Sequence, residues 1–111
     1  MAIEVRCIEH LSSEQRKSLN LLYGPLIGKN SICLYEFLGS IQNLVELEDV
    51  YLLLNMNASQ FDIARNHLEQ YHLIETYVCE ADMLILLYAP LLPDSFLCHE
   101  LLLISYLLLL I

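Results

Sequence analysis

The residues of this chain best suited to hold a metal, or to act as nucleophile and base, are four cysteines and four histidines. They are Cys7, Cys33, Cys79 and Cys98, with His10, His67, His72 and His99. A structural zinc site needs two ligand pairs at short, fixed spacing. Cys7 stands close to His10 and Cys98 beside His99, but no second pair follows at finger spacing and there is no Cys-x-x-Cys. His67 and His72 fall about 140° apart around a predicted helix, so they do not share a face. No Gly-x-Ser-x-Gly is present, nor a local signature joining Cys, His and an acid. Gly24-Pro25-Leu26-Ile27-Gly28-Lys29 has two glycines and a lysine but not P-loop spacing, and reads as a turn. Glu46, Glu48 and Asp49 read as a solvated helix start rather than paired acid–base carboxylates. These residues point to no enzyme, no metal and no cofactor, and so to a chain that acts by binding.

Base-reading chemistry is the next candidate. Arg65, Asn66 and Gln70 are residue types that read base edges, and they share one predicted helix. Their surroundings oppose that use. Between residues 44 and 82 stand Glu46, Glu48, Asp49, Asp62, Glu69, Glu75, Glu80 and Asp82, and the only Lys or Arg there is Arg65. The whole chain carries 5 Lys+Arg against 14 Asp+Glu, a net charge of −9. Affinity for phosphate backbones comes mostly from Lys and Arg, so DNA is expected to bind here only weakly or through other domains. A DNA-binding regulator remains the alternative, distinguished by salt-dependent duplex binding.

The elements that position these residues follow from capping signals and periodicity. The length of 111 residues fits a single domain. Residues 1–10 form a lead-in in which Ile3, Val5 and Cys7 alternate with Glu4 and Arg6, as in a short strand. Ser12 with Gln15 is a capping box that opens a first helix, with Leu19, Leu22 and Tyr23 on one face. Gly24 and Pro25 are expected to end it. Asn30 or Ser31 would cap a second helix with a stripe of Leu34, Phe37, Leu38, Ile41, Leu44 and Val45. A third helix covers 47–54, with Glu48 and Asp49 at its positive end. Asn57 and Gln60 form a second capping box, opening a fourth helix to about Tyr71.

Residues 73–89 then read as two strands around the polar turn Cys79–Asp82. Pro90 and Pro93 close the hairpin, and Asp94 caps a last helix over 94–111. Helices three and four are a helix-turn-helix, and the hairpin after them is a wing. The fold expected is mainly α with a small β-hairpin: a winged helix-turn-helix with an extra C-terminal helix.

From Leu101 to Ile111 only Ser105 and the Tyr106 hydroxyl are polar. That run makes about 16 Å of helix, against the roughly 30 Å of a bilayer core. A helix that is apolar all round must be covered all round, which a small domain does poorly. A covering partner is therefore expected: a second copy, or sequence following in a longer protein. The end inside a Leu run suggests a trimmed domain. The expected oligomer interface is Leu101, Leu102, Ile104, Tyr106 and Leu108. The hairpin (Tyr77, Met83, Ile85, Tyr88) or the lead-in (Ile3, Val5) would add a second contact. The N-terminus MAIEVRCIEH has no basic start followed by a long apolar run, and the cysteines are scattered, which fits a reducing cytoplasm. Peripheral membrane association through the Leu-rich end is a further expectation.

Leu22-Tyr23-Gly24-Pro25-Leu26-Ile27-Gly28, followed by Leu34-Tyr35, resembles the opening signature of the bacterial primosomal DnaB/DnaD family. The similarity is greatest to the replication initiation and membrane attachment proteins of low-GC Gram-positive bacteria. Phe61 to Glu69, Leu73 to Val78 and Pro90 to Phe96 extend it, so that it covers roughly residues 19–108. The Pro-Leu-Ile-Gly part is fairly specific and the helix-turn-helix part generic. The resemblance implies the N-terminal winged helix domain of a longer protein that helps load the replicative helicase at origins and restart sites. It further implies a domain that mainly oligomerises and contacts other replication-initiation proteins, with DNA binding left largely to later domains.

Overall fold

Two capping boxes open the helices where the sequence places them. In the first, the Gln15 amide donates to Ser12 Oγ at 3.1 Å and the Ser12 amide to Gln15 Oε1 at 2.9 Å. In the second, the Gln60 amide donates to Asn57 Oδ1 at 2.8 Å and the Asn57 amide to Gln60 Oε1 at 2.9 Å. Each box satisfies donors that a helix start leaves without partners. The fold comes from a computed structural model that describes residues 1–8, 10–41, 44–91, 104–105 and 107–109. Its elements are β1 (Ala2–Cys7), α1 (Ser13–Ser18), α2 (Gly24–Ile27), α3 (Lys29–Ser40), β2 (Val45–Glu46), α4 (Leu47–Leu54), α5 (Ala58–Gln70), β3 (Ile74–Cys79) and β4 (Asp82–Leu87).

Gly24 and Pro25 do not end the first helix. The backbone stays helical through a π turn, Leu19–Tyr23, and on through α2. The Gly24 amide bonds five residues back, to the Leu19 carbonyl. A proline inside an α-helix clashes with the carbonyl four residues earlier, here that of Leu21. The wider π turn just before Pro25 relieves that clash, so the chain absorbs the proline instead of breaking. The break comes at Gly28, at φ 86° and ψ 168°, a backbone region essentially closed to other residues. Gly28 is also the N-cap of α3, in place of Asn30 or Ser31. Ser31 is buried instead, and its hydroxyl donates to the Ala64 carbonyl on α5 at 3.3 Å.

The second helix is shorter than its apolar stripe. It stops at Ser40, whose hydroxyl donates to the Phe37 carbonyl at 2.7 Å, and Ile41 is already extended. Leu44 and Val45 therefore leave the stripe, because Val45 pairs with Ile3 across β1 and β2. The third and fourth helices follow as expected. Asn55, left-handed at φ 52°, turns α4 into the α5 cap. His72 lies past the end of α5 at φ 60° rather than on that helix. Glu80, at φ 55°, turns β3 into β4.

The four strands form one sheet in the order β2-β1-β4-β3. β1 runs antiparallel to β2 and parallel to β4. One face of this sheet (Ile3, Ile74, Met83, Ile85, Leu87) meets Leu34, Tyr35, Leu38, Phe61 and Leu68 of the helices in the core. Tyr35 donates to the Tyr88 carbonyl at 2.7 Å, and Tyr51 packs edge-on against Phe61 at 5.5 Å. This is the expected winged helix-turn-helix, mainly α, with the lead-in strand added to the wing's sheet. In the C-terminal segment Ile104, Ser105 and Leu107–Leu109 are helical. The remainder of 92–111, including Asp94, Leu101, Leu102 and Tyr106, lies outside the described residues.

Candidate interaction surface

The helix-turn-helix presents α5 outward with Asn66 and Gln70 exposed. Arg65 is not free on that surface. Its Nη1 lies 3.0 Å from Glu69 Oε1 and its Nε 4.0 Å from Asp62 Oδ1, and its side chain is only 20% exposed. The one cation of the helix-turn-helix and wing thus sits between two carboxylates of its own helix, one turn to either side. Asp82 and Glu80 are exposed at the tip of the wing. Any phosphate approaching α5 or the wing meets net negative charge.

The other chemically capable residues do not converge. His67 Nδ1 lies 3.1 Å from the Ile27 carbonyl, which ties α5 to the end of α2. Cys7, Cys33 and Cys79 are free and exposed on separate elements. Among the described residues, no group of three or more His, Cys, Asp or Glu could hold a metal ion.

The residues expected at an interface divide by burial. Ile3 and Ile85 are completely buried in the chain's own core and Met83 nearly so. These three cannot reach a partner: β1 and β4 run side by side with their odd-numbered side chains turned to the helices. Val5 and Tyr88 are half-buried, and Tyr77 is 51% exposed. Ile104 and Leu108 are 50% and 66% exposed. Leu101, Leu102 and Tyr106 lie outside the described residues.

Leu107 and Leu109, within the apolar run from Leu101 to Ile111, are exposed too, and Leu44, Leu52, Leu53, Ile63 and Val78 are exposed apolar residues that the sequence reading does not mark as surface. For Leu52 and Leu53 a signal was present. In α4 the positions Leu47, Val50, Tyr51 and Leu54 keep helical step and face inward, which leaves Leu52 and Leu53 on the outer side.

The second face of the sheet is open among the described residues. Register aligns Glu46, Ala2, Asp82 and Cys79 across the four strands. The next row aligns Glu4, Leu84 and Tyr77, with Leu44 just before β2, and the third aligns Arg6, Leu86 and Glu75. A groove of about 370 Å³ runs over the first two rows, lined by Ala2, Glu4, Leu44, Tyr77, Cys79, Asp82, Met83 and Leu84. Beside it the Tyr77 and Tyr88 hydroxyls both bond the Glu75 carboxylate. These bonds hold the Glu75 carboxyl below its usual range and push both phenols above theirs.

Comparison with known proteins bears on what such a surface serves. Residues 6–109 match the family model described as the DnaB N-terminal winged helix domain. A crystal structure of primosome protein DnaB (residues 1–300) from Geobacillus stearothermophilus is similar, with a TM-score of 0.82 and 30% identity. The similarity covers 91% of this chain and 42% of that chain, so this chain spans less than half of it. No curated protein matches. Among the described residues no helix is long and apolar enough to cross a membrane.

Proposed function

This chain belongs to the family of DnaB N-terminal winged helix domains, and from that premise we propose that it is a non-enzymatic assembly module of a DNA replication initiation protein. It self-associates and contacts other initiation proteins in the cytoplasm, in a primosome that loads the replicative helicase. The observation that carries this reading is the exposure of the described apolar side chains in the C-terminal segment. Ile104, Leu107, Leu108 and Leu109, each helical, are 50%, 49%, 66% and 51% exposed. Contiguous apolar surface of that kind marks an interface, since burying it against a partner removes it from water at about 25 cal/mol per Å². Tyr77 and Tyr88 supply a second contact on the wing, whereas Val5 packs against the core on the other side of the sheet.

Equilibrium sedimentation of the 111-residue chain at tens of micromolar tests the reading. The expected mass is at least twice that of one chain, falling to a single chain in the variant Ile104→Ser/Leu108→Ser. A stable, non-aggregating monomer of the unsubstituted chain would overturn it. Vesicle co-sedimentation in parallel decides whether the same helix serves a membrane surface instead.

A further inference from the structure

We propose that the groove on the open face of the sheet binds a basic amphipathic segment of another protein, its apolar side chains over Leu84 and Leu44 and its Lys or Arg side chains against Asp82 and Glu4. This rests on the assembly reading and names the occupant of the second contact. The floor is built from the half-buried Leu84, and the walls are Leu44, 67% exposed, and Tyr77, 51% exposed. These side chains face out because their neighbours Ile3, Met83 and Ile85 face in, so the groove costs the core nothing. About 370 Å³ gives room for aliphatic or aromatic anchors.

Charge selects among the occupants. Among the described residues the face carries the carboxylates of Glu4, Glu46, Asp82 and Glu75 against two cations, Arg6 and the Met1 amino group, the latter 3.5 Å from Glu46. Arg6 is already paired to Glu4 at 3.2 Å, and Asp82 has no ion pair among the described residues. A second copy would lay the same carboxylates over these, and each copy carries −9. Nucleic acid and anionic lipid bring the same sign. A segment with Leu or Phe anchors flanked by Lys or Arg fits both the apolar floor and the acidic rim.

The probe is a short, fluorescently labelled model helix of Leu and Lys, titrated into the 111-residue chain and followed by anisotropy. Saturable binding is expected. The pair Glu4→Lys/Asp82→Lys should weaken it about tenfold, as two rim attractions become repulsions. Leu44→Ser, at an exposed position, should weaken it severalfold without touching the fold. The control pair Glu14→Lys/Glu48→Lys makes the same change in net charge away from the groove and should leave affinity within about twofold. Backbone amide shifts on binding should cluster at the groove. Equal weakening by the control pair would mean general charge attraction and would overturn the assignment, as would absence of binding. If Leu44→Ser lowers the sedimentation mass and leaves peptide affinity unchanged, the groove belongs to a second copy. The assembly reading fails separately, in the sedimentation of the unsubstituted chain.

Discussion

Glu75 shows how much one exposed carboxylate can organise. The Tyr77 hydroxyl and then the Tyr88 hydroxyl lower its pKa, with the nearby charge of His72 a smaller cause. A carboxyl whose pKa is lowered in the folded chain stabilises that fold above its ordinary value. The contribution disappears as pH falls through the lowered value. The phenols of Tyr77 and Tyr88, raised above 10.0, stabilise the fold below that pH and lose their contribution as pH climbs past it. In urea unfolding, Glu75→Gln should therefore lie below the parent chain by a constant margin at neutral pH, and the margin should shrink below about pH 4.5. A margin independent of pH would show that the cluster does not couple to titration. Arg65 is the other decisive residue. Its partners Asp62 and Glu69 stand one turn away on either side, so its neutralisation was legible from spacing once the helix was placed. The Tyr–Glu–Tyr cluster was not, because Tyr88 meets Glu75 only across the paired strands.

At the scale of elements, two glycines do opposite work. Gly28 ends α2 and caps α3 at a positive φ with nothing within 4 Å of where a Cβ would stand. Gly28→Ala is expected to cost about 1–3 kcal/mol through backbone strain alone. Gly39 sits inside α3, and a Cβ there would meet Leu87 Cδ2 at an ordinary 3.7 Å. Gly39→Ala is expected to stabilise by about 0.5–1 kcal/mol, because alanine loses less backbone entropy in a helix. Thermal or urea unfolding of the pair checks both signs, and like signs would contradict this account. The capping boxes at Ser12 and Asn57 were readable because all their atoms lie within four residues. The π turn before Pro25 was not. Its last residue is anchored far along the chain, Tyr23 accepting a hydrogen bond from the Leu91 amide at 3.2 Å, and local rules take no account of such an anchor.

For the whole molecule, charge and apolar surface decide together. With −9 overall and Arg65 held by two acids, the chain is expected to show no affinity for a labelled duplex or single strand, even at low salt. Binding that weakens steeply as salt rises would restore the DNA-reading alternative and displace the assembly reading. Composition also announced the apolar end, and the exposure of Ile104 and Leu107–Leu109 places four of those side chains where a partner can reach them.

Sequence alone determined what depends on neighbours along the chain: the two helix starts marked by capping boxes, the helix-turn-helix and hairpin order, the sign of the charge, and the Pro-Leu-Ile-Gly stretch that carries the family resemblance. Tertiary structure decided what depends on partners far away in the chain. Alternation in β1 shows that Ile3 and Val5 share a face, but not that β1 lies between β2 and β4 and runs parallel to β4. That placement turned Ile3, Met83 and Ile85 from interface candidates into core, and brought Glu4, Leu84 and Tyr77 into one row. Period-two patterning defines a strand's two faces, whereas its neighbour in the sheet is set by the packing of the whole core.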